Sequence, residues 1–109
     1  MKIDIPHPDE IDSAGYQITI HSWYTWSMDH TVSYIIVPML QQLKDTTHSY
    51  PSNLNSMDEW YEILDEMIWA FTYKRDNFDS MLDEDREAAQ ARLTNGFRLF
   101  GKYYESLWD

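Results

Sequence analysis

Residues 56–71 read SMDEWYEILDEMIWAF, and this stretch decides the fold. Ser56 and Glu59 are spaced as in a capping box, in which the serine hydroxyl accepts the amide proton of the third helical residue. The large apolar side chains that follow recur every three or four positions, which places them on one helical face. That face comprises Trp60, Ile63, Leu64, Met67, Ile68 and Phe71. The spacing predicts an amphipathic helix over 57–75.

A second amphipathic helix is predicted over 29–45, where it follows the segment WSMDHT at 26–31. Ser27 and Asp29 are both suitable N-cap residues, because their side-chain oxygens can accept amide protons of the first turn. Pro38 predicts a kink, since proline removes one helical hydrogen bond and clashes with the preceding turn. The predicted apolar face comprises Val32, Ile35, Ile36, Met39, Leu40 and Leu43.

A third helix is predicted over 82–107. Gly96 and Gly101 lie inside it, although glycine costs about 1 kcal/mol relative to alanine in a helix interior. They predict a close approach by a neighbouring helix or a bulky tryptophan. The buried stripe of this helix is predicted to be Leu93, Phe97, Phe100, Tyr104 and Leu107.

Two short segments before the helices alternate apolar and polar residues, KIDI at 2–5 and YQITI at 16–20, which is typical of strands. The predicted fold is therefore mostly α: a three-helix bundle-like single domain spanning 1–109. It has an extended or β N-terminal segment at 1–22 and a helical core at 23–109. The residues predicted to be buried are Ile36, Leu40, Leu64, Met67, Phe71, Leu93, Phe97 and Phe100.

The charge of the chain is strongly negative, with 19 acids against 8 bases and a formal net charge of −11. Such a field repels nucleic acid and anionic lipid and attracts a basic protein surface. The competing interpretation is that the charge serves solubility alone. The residues predicted to bind a basic partner are Asp58, Glu59, Glu62, Asp65, Glu66, Asp79, Asp83, Glu84 and Asp85.

The absence of cysteine excludes disulfides, thiolate zinc sites and cysteine nucleophiles. Residues 1–20 carry four acids among few apolar residues, which is unlike a signal peptide. The longest uncharged apolar stretch, at 31–43, is too short to cross a bilayer. We therefore expect a cytoplasmic protein without a membrane partner.

Catalytic patterns are missing from the sequence: it has no HExxH, no G-x-S-x-G and no glycine-rich phosphate loop. We predict no catalytic residue, no resident metal and no cofactor. A metal-dependent activity built from Asp29, His48 and Asp65 is the least favoured alternative, because those residues lack a ligand spacing. Asp29 and the neighbouring His30 are better explained as the start of a helix.

Aromatic residues outside the predicted stripes suggest a second kind of site. Their rings could stack on a nucleotide base, provided that lysine or arginine neutralised the phosphate. The residues of this alternative ligand site are Tyr24, Trp26, Arg98, Lys102 and Tyr103.

Several ordered motifs across residues 23–109 resemble a family of small acidic proteins encoded by tailed bacteriophages. The motifs are Trp26-x-x-Asp29, Ile36-x-Pro38-x-Leu40-x-x-Leu43-Lys44, His48-x-Tyr50-Pro51, Trp60-x-x-x-Leu64-Asp65-x-Met67-Ile68-x-Ala70-Phe71 and NGFRLFGKYYESLWD. The chain departs from the family at Ser49 and Thr72, where glycine and an acid are expected. The resemblance implies a viral accessory protein in a bacterial cytoplasm and carries over no functional residue.

The expected function is that of a phage-encoded accessory binding protein. It would inhibit or redirect a host defence or transcription protein by presenting its acidic surface to a basic, nucleic-acid-binding surface of that host protein. The first alternative is sequestration of a small nucleotide signal. A metal-dependent enzyme and a virion component are less favoured alternatives. A homodimer is compatible with each of these functions.

Overall fold

The computed structural model describes residues 18–77 and 86–108. Four α-helices occur in these ranges: α1 at Ser22–Trp26, α2 at Met28–Thr46, α3 at Met57–Asp76 and α4 at Arg86–Lys102. A single 3₁₀ turn follows α4 at Tyr104–Ser106. The prediction of a mostly α fold is confirmed.

The predicted N-terminal β element is not seen in the described part of the chain. Residues 2–5 lie outside that part, and residues 18–20 have no regular secondary structure. The short helix α1, which the sequence analysis did not predict, follows instead. Its N-cap is His21, whose Nδ1 accepts the amide proton of Trp23 at 3.1 Å.

Helix α3 begins as its sequence predicts. The Ser56 hydroxyl accepts the Glu59 amide proton at 3.2 Å. The Glu59 carboxylate also reaches back, but it accepts from the amide of Asn55, one residue before the cap, at 2.6 Å. Both interactions satisfy amides that no helical carbonyl could reach, which stabilises the helix start.

Helix α2 begins one residue earlier than predicted, so Asp29, one of the two candidate N-caps, is not the cap. Ser27 is the N-cap, although its side chain makes no capping hydrogen bond, and Asp29 is the second residue of the helix. Pro38 lies within a helix that continues to Thr46. The kink at Pro38 stays a prediction.

Helix α3 is the centre of the fold, because both α2 and α4 pack against it. Between residues 28–46 and 86–102, by contrast, no pair of Cα atoms approaches within 8 Å. The chain direction reverses at each connection, so α2 and α4 run parallel to each other on either side of α3.

The core lies where α2 and α4 pack against α3. Of the predicted core, Leu40, Leu64, Met67, Phe71 and Leu93 are buried. The prediction is wrong for three residues: Ile36 and Phe100 are only partly buried, and Phe97 is 37% exposed. The faces are rotated from the predicted stripes. The positions buried in their place are Ser33, Val37, Gly96, Leu99 and Tyr103.

Candidate interaction surfaces

Two of the predicted partner-binding acids on α3 form ion pairs with basic side chains of the neighbouring helices. The Nζ atom of Lys44 lies 2.7 Å from Oδ1 of Asp65, which joins α2 to α3. Arg92 of α4 donates two hydrogen bonds to the Glu66 carboxylate, at 3.0 and 3.1 Å. The same guanidinium lies 4.1 Å from the centroid of the Trp69 ring. These carboxylates therefore hold the helices together, which the sequence analysis did not predict.

The remaining predicted acids divide into three groups. Glu59 is engaged in the cap of α3, whereas Asp58 and Glu62 are exposed. Neither Asp58 nor Glu62 forms an ion pair with any other residue in 18–77 or 86–108. The third group lies outside the described residues and comprises Asp79, Asp83, Glu84 and Asp85. That all nine predicted acids form one surface therefore stays a prediction.

The alternative ligand site is not assembled. Tyr103 is buried, with its ring 5.5 Å from that of Trp60, and its hydroxyl accepts a hydrogen bond from Asn53 at 3.0 Å. Trp26 precedes the start of α2, whereas Lys102 lies near the start of α3, at the other end of the helical layer. Tyr103 directly follows α4 and packs against α3, which leaves little of its ring accessible to a ligand, and its role in a ligand site stays a prediction.

The remaining members of that set have local partners. Trp26 is 74% exposed and stacks on Trp23 with 5.2 Å between ring centroids. Arg98 is exposed and donates two hydrogen bonds to Asn95. Tyr24 is partly buried.

The candidate metal ligands are also far apart. Asp29 lies at the start of α2, and Asp65 is bonded to Lys44 near the end of the same helix. Fifteen residues of helix separate Asp29 from Lys44, which is about 22 Å. His48 is exposed in the loop after α2. In the part of the chain that the structure describes, no three histidine or acidic side chains are grouped as metal ligands would be.

Asp29 instead contributes to a polar contact between the start of α2 and the end of α3. Its Oδ2 lies 2.9 Å from Nζ of Lys74, and Nδ1 of His30 lies 3.2 Å from the Lys74 carbonyl oxygen. The hydrogen bond from the Lys74 ammonium lowers the pKa of the Asp29 carboxyl below its ordinary value of 3.8. Desolvation opposes it in part, and the His30 amide adds a smaller lowering of the pKa. The charged form of Asp29 is therefore stabilised by folding.

Lys74→Met is expected to raise the Asp29 pKa towards its ordinary value, which a carbon-13 NMR titration of the carboxyl groups would measure. Because the folded-state pKa is lowered, the pair stabilises the fold above the unfolded pKa, and this contribution is lost as pH falls through the folded pKa. The Asp29 side chain is 67% exposed, so we expect the contribution to be at most about 1 kcal/mol. Arg98→Met is the control and should leave the Asp29 pKa unchanged. An unchanged Asp29 pKa in Lys74→Met would contradict the assignment.

An open apolar surface lies between α2 and α4. We call it the apolar groove, and its volume is about 710 Å³. It is lined by Ile36, Met39, Leu40, Gln42, Leu43, Thr46, Phe100, Tyr104 and Leu107. Met39 is 56% and Tyr104 63% exposed. None of the lining residues is charged.

A smaller space of about 470 Å³ lies nearer the start of α2, where Met28, Val32 and Phe97 contribute apolar surface. Phe71 connects the two spaces. The centroid of its ring lies 5.2 Å from that of Phe97, which lines the smaller space, and 5.0 Å from that of Phe100, which lines the apolar groove. A signal for this surface was present in the sequence. The predicted stripes of the first and third helices include side chains that α3 is too narrow to cover.

Comparisons with known proteins find no matching family model, no similar characterised protein and no similar solved structure. Among the helices of the described residues, none has the length and apolar character that crossing a membrane requires. The structure thus defines the chain as a mostly α-helical protein with an open apolar groove and a separate set of exposed acids.

Proposed function

We propose that this protein functions by binding another protein and that its negative charge directs it to a basic surface. In the setting that the phage resemblance implies, the partner is a host defence or transcription protein. Binding there would block or redirect the activity of the host protein. Within the described residues, we assign the exposed acids of α3, Asp58 and Glu62, to this proposed binding surface.

The observation that carries this proposal is that the chain has too few lysine and arginine side chains to pair with its acids. Ranges 18–77 and 86–108 contain seven lysine and arginine residues. Four of these form ion pairs with acids of the same chain, and they are Lys44, Lys74, Arg75 and Arg92. The whole chain has 19 acids, so most carboxylates have no intramolecular cation to pair with. A basic partner would supply the missing positive charge.

The position of Asp58 and Glu62 also suits a docking surface. They lie one turn apart on an exposed side of α3, and α3 is held on both flanks by the ion pairs of Asp65 and Glu66. A rigid element presents its charges without an additional ordering cost on binding. The paired acids fix the helix, and the acids without an ion pair remain available to a partner.

The test uses the whole chain as bait in a lysate of phage-infected bacteria, followed by association kinetics with the protein that is captured. Asp58→Lys with Glu62→Lys should slow association about tenfold or more, because opposite charges steer encounter between proteins. Wild-type association should also slow steeply as salt is added. The fold should be retained, since neither acid forms an ion pair within the described chain, although a lysine in the first turn of α3 should cost about 0.3–1 kcal/mol.

The matched control is Asp45→Lys with Glu87→Lys, which changes the net charge equally at exposed sites on α2 and α4. It should slow association much less than the α3 pair of changes. An equal loss in both variants would show that net charge alone acts and that α3 is not the docking surface. Association that ignores salt and both pairs of changes would contradict the basic-partner proposal.

A further inference from the structure

We propose that the apolar groove between α2 and α4 is the surface on which two copies of this chain pair. This inference is separate from the basic-partner proposal, since it concerns a different surface with a different chemistry. It explains why a chain rich in acids leaves an uncharged, apolar groove open between α2 and α4.

The first argument is charge complementarity. Two chains that each carry −11 repel each other, and they can associate only through a surface from which acids are excluded. None of the nine side chains that line the groove is an acid. In the adjoining smaller space one acid is present, Asp29, and Lys74 neutralises it at 2.9 Å. A basic partner would instead be met by acids along the groove, so the lining fits a like-charged second copy.

The second argument is the area of exposed apolar surface. Met28, Met39, Phe97 and Tyr104 are 60%, 56%, 37% and 63% exposed along the two spaces. If each offers about 100 Å², and the partly buried neighbours together offer another 100 Å² or so, the surface measures roughly 500 Å². That is as large as the largest apolar patch of a typical monomer, and such patches often mark an interface. It is somewhat smaller than the usual 800 Å² or so per partner, so we expect a dimer of modest affinity.

The third argument is geometric. The groove has two walls, one formed by α2 and the other by the end of α4 and the residues that follow it. A twofold axis through the groove would place α2 and α4 of one copy across those of the other, so that each copy contributes the same residues. Side chains at the rim, such as Met39 and Tyr104, would then enter the groove of the second copy and lose their exposure to water.

The test is sedimentation equilibrium on the full chain from about 1 μM to about 500 μM, a range that suits an interface below standard size. We expect a reversible monomer–dimer equilibrium. Added salt should strengthen it, because screening reduces the repulsion between the two negative chains. A basic partner would show the opposite salt dependence, so failure of one proposal is distinguishable from failure of the other.

Met39→Lys with Tyr104→Lys should raise the dimer dissociation constant about a hundredfold, or tenfold for each buried anchor that is lost. Lysine lowers the net negative charge, so added repulsion cannot cause the loss. Tyr50→Lys is the matched control: this tyrosine is 41% exposed in the loop before α3 and is not one of the residues that line the groove. It should leave the dissociation constant within about twofold of the wild-type value.

A chain that stays monomeric at every concentration and at high salt would overturn the proposal. So would a dimer that survives both groove changes. If the chain is monomeric, oxidation of Met39 by hydrogen peroxide, followed by mass spectrometry, shows whether the groove is open or covered. Rapid oxidation would show an open groove, whereas protection of Met39 in a monomer would show that another segment of the same chain covers it. Both results contradict pairing.

Discussion

Trp60→Ala is expected to lower the free energy of unfolding by about 3–5 kcal/mol, the usual cost of truncating a buried aromatic residue to alanine. Trp60 is 1% exposed, and its ring lies edge-on to that of Tyr103 at 5.5 Å between centroids. The change therefore opens a cavity and also removes an aromatic contact between α3 and the end of α4. Equilibrium unfolding in urea, followed by circular dichroism, would measure the loss.

Trp60→Phe is the control for this prediction. Phenylalanine keeps an aromatic ring against Tyr103 and fills most of the same space, so we expect a loss of less than about 2 kcal/mol. A loss near zero in Trp60→Ala would mean that α3 does not bury this face and would contradict the packing of α3 against α4.

Gly96→Ala is expected to lower the free energy of unfolding by about 1–3 kcal/mol, although alanine is the better helix former by about 1 kcal/mol. A Cβ atom at position 96 would lie 2.5 Å from Cβ of Ala70 and 2.9 Å from the carbonyl oxygen of Glu66. Neither atom can rotate away, because one is fixed to the backbone and the other belongs to it. Helix α4 would have to move off α3, which would also strain the ion pair between Glu66 and Arg92.

Gly101→Ala supplies the matched control, since it is the same substitution in the same helix. Apart from its chain neighbours and the backbone of its own helix, no atom of the described chain lies within 4 Å of the position of its Cβ. We therefore expect alanine there to stabilise the protein by up to about 1 kcal/mol, through helix propensity alone. The close approach that the sequence predicted for both glycines is confirmed for Gly96 and wrong for Gly101. Equal effects of the two substitutions in urea unfolding would contradict the close packing of α4 on α3.

The sequence by itself determined the central helix. A cap at Ser56 and an apolar residue every three or four positions to Phe71 are local signals, because capping and amphipathicity depend on neighbours within one or two turns. The bounds of α3 and the burial of Leu64 and Met67 followed from these signals. The same local signals placed α2 and predicted its capping region, although they could not decide between Ser27 and Asp29 as the cap.

Only the tertiary structure decided how the flanking helices are turned and what their surfaces can do. The stripes of α2 and α4 are wider than the face that one neighbour can cover, so sequence spacing does not say which edge is buried. Packing against α3 buried Val37 and Leu99 and left Met39 and Tyr104 at the rim of the apolar groove. Likewise, Glu66 and Arg92 are 26 residues apart, and their pairing depends on the contact between α3 and α4. Interactions between distant residues arise from the arrangement of whole helices, which no local pattern encodes.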